Sequence, residues 1–231
     1  MNILIIIFIL ILILILILYF TYEGKYNTKY KPSLKHDGFI FLNSQNKDNV
    51  LKHLPKGYQF INYKYTIHGC TLSTFHRDVT SSQYIYKTKY PTYTFITYKH
   101  QGSGLSVCPG SHKTTPLLFT HPINVNYKNI LFNCDLVHAG SLNLNNLPRT
   151  AIQYKIVHKE DLKKMKHLNG INKVKKGDCN KRNYILLDIF YRKLSLLFCY
   201  FINHLLTPYL QSRKANILCK LIGEERCFYN K

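Results

Sequence analysis

The sequence has no tryptophan, 2 methionines, 8 prolines and only 11 acidic residues among 231. So little proline, beside 14% aromatic side chains, excludes a collagen-like or disordered chain. The 7 cysteines form no CxxC pair and no framework spacing. A zinc knuckle and a disulfide scaffold are therefore excluded, and free thiols in a reducing compartment are expected. No glycine-rich phosphate loop or Ser–His–Asp arrangement stands out. What is abundant is base: 32 Lys and Arg give a formal charge of +21. Arginine is sparse and the Lys-rich stretches carry no recognition module, so no nucleic-acid partner is expected. An anionic lipid surface accounts better for basic patches that flank an apolar segment, at about 1 kcal/mol per Lys near the surface.

That segment is Ile3 to Phe20, an unbroken apolar run of 18 residues with no charge, Gly or Pro. As a helix it covers roughly 27 Å, close to the hydrocarbon thickness of about 30 Å. Met1-Asn2 lack the basic start of a signal peptide, and the run exits into Tyr19-Phe20-Thr21-Tyr22, a poor cleavage site but a good interfacial aromatic belt. An uncleaved transmembrane anchor over 1–22 is expected. Lys25, Lys29, Lys31 and Lys35 against the single Glu23 place the remainder in the cytosol by the positive-inside bias.

Residues 23–37 read as a basic tether. Asn43 to Leu54 reads as a short helix capped by Asn43 or Ser44 and stopped by Pro55-Lys56-Gly57. From Tyr58 to Val157, short runs of Tyr, Ile, Thr, Val and Phe alternate with turn signals at Ser81-Ser82, 102–104, Pro109-Gly110 and 143–148. Strands at that spacing predict a mainly β sandwich or jelly roll over 38–160. A basic loop over 161–183 and a C-terminal helical segment over 184–231 follow. Within the latter, 184–210 is apolar but interrupted by charge, which predicts a packed or interfacial helix rather than a second span.

Chemistry concentrates in the strand-rich middle. On an extended segment His76 and Asp78 share a face, so an imidazole and a carboxylate can converge on a metal. Alone, this pair is as well read as a surface turn. Alternation over 129–138 puts Ile130, Phe132, Cys134, Leu136 and His138 on one face, ending in an imidazole. Two His and one carboxylate at strand ends form the facial triad that suits non-haem Fe(II) and leaves three positions open. Eleven residues on, Arg149 opens a strand whose inward set is Arg149, Ala151, Gln153 and Lys155. An inward Arg needs an anionic partner, and a dicarboxylate would supply one through a bidentate fork.

The segments STFHRD (73–78), GLSVCPGSHK (104–113), NILFNCDLVHAGS (129–141) and RTAIQY (149–154), in that order, resemble the phytanoyl-CoA dioxygenase family. They span about a third of the chain. The resemblance implies a double-stranded β-helix with flanking helices, binding Fe(II) through His76, Asp78 and His138. It implies that Arg149 holds the far carboxylate of 2-oxoglutarate, with O2 as second cosubstrate, and that Ser111, His112 and Lys113 border the site. The family often has Ser two residues after the distal His; here that position is Gly140, with Ser141 next, which makes Ser141 the candidate contact. The expected function is a single-pass membrane dioxygenase that hydroxylates a small or lipid-like molecule. A catalytically inactive jelly-roll membrane scaffold is the alternative.

Overall fold

The computed structural model describes residues 3–20, 22–70, 73–99, 104–113, 121–142, 148–177, 186–197 and 199. The strands are β1 (Gly24–Lys25), β2 (Phe39–Phe41), β3 (Tyr58–Phe60), β4 (Tyr63–Gly69), β5 (Tyr93–Tyr98), β6 (Leu105–Val107), β7 (Ile123–Val125), β8 (Asn129–Asn133), β9 (His138–Gly140), β10 (Arg149–His158) and β11 (Ile171–Lys176). The α-helices are α1 (Ile3–Phe20), α2 (Lys47–Leu51), α3 (Gln83–Tyr86) and α4 (Leu186–Leu197).

Two sheets share one core, as expected for a jelly roll. The larger runs β11-β4-β10-β5-β8-β2, with β3 also paired to β10; the smaller runs β1-β7-β6-β9. Phe39, Ile96, Tyr98, Ile130, Phe132 and Ala151 from the larger sheet meet Leu105, Val107 and Val125 from the smaller in a single buried cluster. The period-2 pattern of β10 explains the layering. Ala151 enters this inter-sheet cluster, whereas Ile156 lies on the opposite face with Leu42, Val50 and Leu54 around α2.

Several expectations are corrected. The alternation over 129–138 is two strands, not one. Asn133 Oδ1 accepts the Asp135 amide at 2.8 Å and Asn133 O accepts the Leu136 amide at 2.9 Å, which turns the chain from the larger sheet to the smaller. The cap of α2 is Asn46, whose side chain accepts from the Asp48 amide. The basic loop 161–183 contains β11, which pairs in parallel with β4. Tether residues Gly24 and Lys25 pair with β7. Cys70 is disulfide-bonded where a free thiol was expected, while Cys108, Cys134 and Cys199 are free and buried. The 102–103 and 143–147 parts of two expected turns, residues 178–183, and the C-terminal segment apart from 186–197 and 199 lie outside the described residues.

The apolar run is helical as α1, and its described side chains are exposed from Ile3 to Leu16. Among the described residues no helix is long and apolar enough to cross a membrane. The expected transmembrane helix is corrected to an exposed apolar helix.

Helix α4 is packed, as its interspersed charge predicts. Leu196 joins Cys199, Phe75, Cys108, Val137 and Ala139 in a cluster under the smaller sheet. Its Arg192 is fully buried and donates Nε to Glu23 Oε1 at 2.7 Å and Nη2 to Glu23 Oε2 at 2.9 Å. Burial would raise the Glu23 carboxyl, but the facing guanidinium outweighs it and holds the pKa down. Arg192→Met is expected to cost about 3–5 kcal/mol, because it leaves Glu23 without its partner. Chemical denaturation measures this, and adding Glu23→Gln is expected to recover part of the loss.

Candidate metal centre

Backbone hydrogen bonds bring the site together. His76 and His138 form an antiparallel bridge, each amide donating to the other's carbonyl at 2.9 Å. Two residues on, the Asp78 amide donates to Cys134 O at 2.8 Å. The segment 76–78 is thereby laid against the start of β9 and the turn that leads into it.

Three donors result. Asp78 Oδ1 lies 4.0 Å from His76 Nε2 and 3.8 Å from His138 Nε2. One ligand atom from each residue falls within 4.8 Å of the others, the only such group of three among the described residues. His138 Nδ1 bonds Leu136 O at 2.9 Å, and His76 Nδ1 bonds Thr74 O at 2.8 Å. A carbonyl can only accept, so each Nδ1 carries a proton and Nε2 is the ring nitrogen left to face Asp78 Oδ1. The buried His138 Nε2 has no hydrogen-bond partner. Desolvating an imidazole nitrogen without a partner costs free energy, which a metal ion would recover.

Burial, with His76 adding to it, lowers the His138 pKa to about 4, so the ring is neutral at pH 7. Burial would raise Asp78, but Lys155, His138 and His76 outweigh it and hold the carboxyl well below the usual range. Two imidazoles and one carboxylate are the donors that non-haem Fe(II) takes.

Sequence reasoning missed the back of this site. Lys155, whose side chain is 1% exposed, donates Nζ to Asp78 Oδ2 at 2.6 Å and to Thr94 Oγ1 at 2.7 Å. Thr94 Oγ1 donates to the same Oδ2 at 2.6 Å. The antiparallel register of β5 and β10 sets Lys155 directly opposite Thr94. The inward alternation of β10 was the available signal; the ionic partner, 77 residues away, was not.

The other predicted residues fall in two groups. Arg149 is buried at the start of β10 and donates Nη1 to Ser141 O at 2.8 Å. A Cβ on Gly140 would meet its Nη2 at 2.6 Å, so the guanidinium uses space that only glycine leaves. The buried Ser141 hydroxyl has no hydrogen-bond partner. Ser111 and His112 are buried behind the site: Ser111 Oγ accepts the Val137 amide, and His112 packs on Gly38. Lys113 is exposed.

No family model matches the chain, and no curated protein does. Solved structures do. EvdO2 from Micromonospora carbonacea var. aurantiaca, complexed with 2-oxoglutarate, is 10% identical with a TM-score of 0.40, over 60% of this chain and 93% of that one. HygX from Streptomyces hygroscopicus, with iron bound, is 13% identical with a TM-score of 0.36, over 53% and 83%. SnoN, a non-haem alpha-ketoglutarate-dependent epimerase from nogalamycin biosynthesis, is 14% identical with a TM-score of 0.31. That alignment covers 39% of this chain and 40% of SnoN.

The depressed His138 pKa has a consequence for the metal-free protein. The unfolded chain takes up this proton near pH 6.5 and the folded chain only near pH 4. Between those values the unfolded state binds more protons, so stability falls as pH falls. Denaturation in chelator from pH 7 to 4 is expected to show this slope. His138→Gln is expected to remove about one proton from it.

Proposed function

We propose that the protein is an Fe(II)- and 2-oxoglutarate-dependent dioxygenase that hydroxylates a small-molecule or lipid-like substrate. The observation that carries this is the buried, partnerless His138 Nε2 facing Asp78 Oδ1 and His76. His76, Asp78 and His138 would hold the iron, and Arg149, with the Ser141 hydroxyl beside it, would take the distal carboxylate of the cosubstrate. The bound iron, with 2-oxoglutarate and O2, supplies the oxidising power to place a hydroxyl on a C–H bond. The protein's own groups do the rest. The backbone bridge fixes the spacing of the imidazoles, the Nδ1–H bonds fix their tautomer, and Phe132, tilted against the His138 ring with centroids 4.6 Å apart, walls one side with apolar surface. Membership of the phytanoyl-CoA dioxygenase family is supported by the HxD, PGSHK and His-to-Arg segments of the sequence.

The exposed apolar α1 supports holding this domain at a membrane. Leu12→Lys in its middle is expected to lower association with lipid vesicles steeply, since the added ammonium must be desolvated against an apolar phase. Flotation of the full chain with vesicles measures it.

The enzymatic reading is tested without oxygen, by adding Fe(II) and 2-oxoglutarate and recording the weak visible charge-transfer band of an iron–keto-acid chelate. The band is expected in the native chain and absent in His138→Ala. Arg149→Ala is expected to weaken 2-oxoglutarate binding by about 30-fold or more, the factor for ~2 kcal/mol. A folded chain with neither iron uptake nor band would instead be the inactive membrane scaffold.

A further inference from the structure

Lys155 is an unusual neighbour for a metal-binding carboxylate. An ionised carboxylate has two oxygens and about four lone-pair sites. On Asp78, Oδ2 accepts from Lys155 Nζ and from Thr94 Oγ1, both at 2.6 Å, which uses both of its in-plane lone pairs. Oδ1 is the atom that faces His76 Nε2 and His138 Nε2. The ammonium itself is held in place by Thr94 Oγ1 at 2.7 Å and lies 3.5 Å from Cys134 Sγ, with the Tyr63 ring 5.8 Å away. Burying a lysine here is costly unless its charge is matched, and Asp78 matches it.

We propose that Lys155, with Thr94, is a positioning residue that commits Asp78 to one-point ligation through Oδ1 and cancels its charge, so that the metal keeps three open positions and accepts an anionic chelating ligand. This rests on the metal-site reading above. A facial triad offers three open positions only while its carboxylate uses a single oxygen. A carboxylate free at both oxygens can take a divalent ion through both, which closes one position. Two effects follow from removing the ammonium. The ion loses a positive neighbour and gains a second donor, so it binds more tightly. The keto acid loses a coordination position and a favourable charge, so it binds more weakly. A residue that merely filled space would weaken both together.

The test uses the full chain in detergent with Co(II) as the probe, whose visible spectrum reports coordination number, titrated first alone and then with 2-oxoglutarate. Lys155→Met is expected to bind Co(II) at least fivefold more tightly and to lose at least tenfold in the 2-oxoglutarate titration. Lys155→Gln, which can return a hydrogen bond to Oδ2 without the charge, is expected to regain part of the 2-oxoglutarate response. Thr94→Val, which frees one lone pair of Oδ2, is expected to shift both titrations in the Lys155→Met direction by less, and serves where Lys155→Met does not fold. Co(II) and 2-oxoglutarate affinities that fall in parallel, or that do not move, overturn the role given to Lys155. A native chain that takes up no Co(II) overturns the metal-site reading instead.

Discussion

The two backbone hydrogen bonds between His76 and His138 are the constraint on which the rest of the site depends. They are of ordinary length at 2.9 Å, reciprocal and independent of the side chains they position. With them formed, the imidazoles leave the backbone from directly opposed residues, and the carboxylate two positions along the same segment falls on the same side. The molecule braces this bridge from outside. Arg192 of α4 donates to Ser73 O and Gly140 O, so one guanidinium ties the segment leading to His76 to the strand that begins at His138. Its bonds to Glu23 extend that brace to the residues just after α1. The N-terminal tether, helix α4 and the two segments that carry the candidate metal ligands therefore meet at a single buried arginine.

Electrostatics follow from how few acids the chain has. In a protein carrying +21, a buried carboxylate gathers donors readily, and the buried acids are used as organising centres. Asp161 accepts the amides of Lys89 and Tyr90, and Asp135 accepts the Ser82 hydroxyl and the Gln83 amide. Asp78 differs because one of its oxygens is left facing two imidazoles. Of the buried cations, Lys155 and Arg192 each lie against an acid, whereas Arg77 and Arg149 donate to the carbonyls of Ser111 and Ser141. The surplus of lysine is left at the surface, along the exposed face of β11 for example, where water screens it.

Local pattern made much of this legible and long-range pairing did not. The alternation of β10 separates the inward Arg149, Ala151 and Lys155 from Ile156 on the other face, as period-2 geometry dictates. The spacing of His76 and Asp78 suffices to put them side by side. Along 129–138, however, hydrophobic alternation is satisfied equally by one long strand and by two short ones that change sheets, because Leu136 and His138 are buried in either case. Only the Asn133 side chain, by accepting the Asp135 amide, decides between them. The Lys155–Asp78 and Arg192–Glu23 pairs join residues separated by 77 and 169 positions, and no periodicity reports a partner at that range. Strand β11 was hidden for a different reason. It is an edge strand with Lys at three of its six positions, the composition that keeps edges from pairing further but also makes a strand read as a loop.

The glycine after His138 ties together two observations that the sequence presents separately. Gly140 stands where a serine was expected, which by itself weakens the case for cosubstrate binding on that strand. In the fold, a Cβ at that position would fall within 2.8 Å of both Nη atoms and Cζ of Arg149, so a side chain there and this guanidinium position are mutually exclusive. The missing serine is thus a condition of where the arginine lies. The arginine in turn occupies the Ser141 carbonyl and leaves the Ser141 hydroxyl buried and partnerless. A hydroxyl just past β9 of the smaller sheet and a guanidinium at the start of β10 of the larger one consequently share one buried region, with a polar atom unsatisfied, and an unsatisfied buried hydroxyl is stable only if something polar comes to meet it. A carboxylate is the group that would satisfy the hydroxyl and match the charge at once.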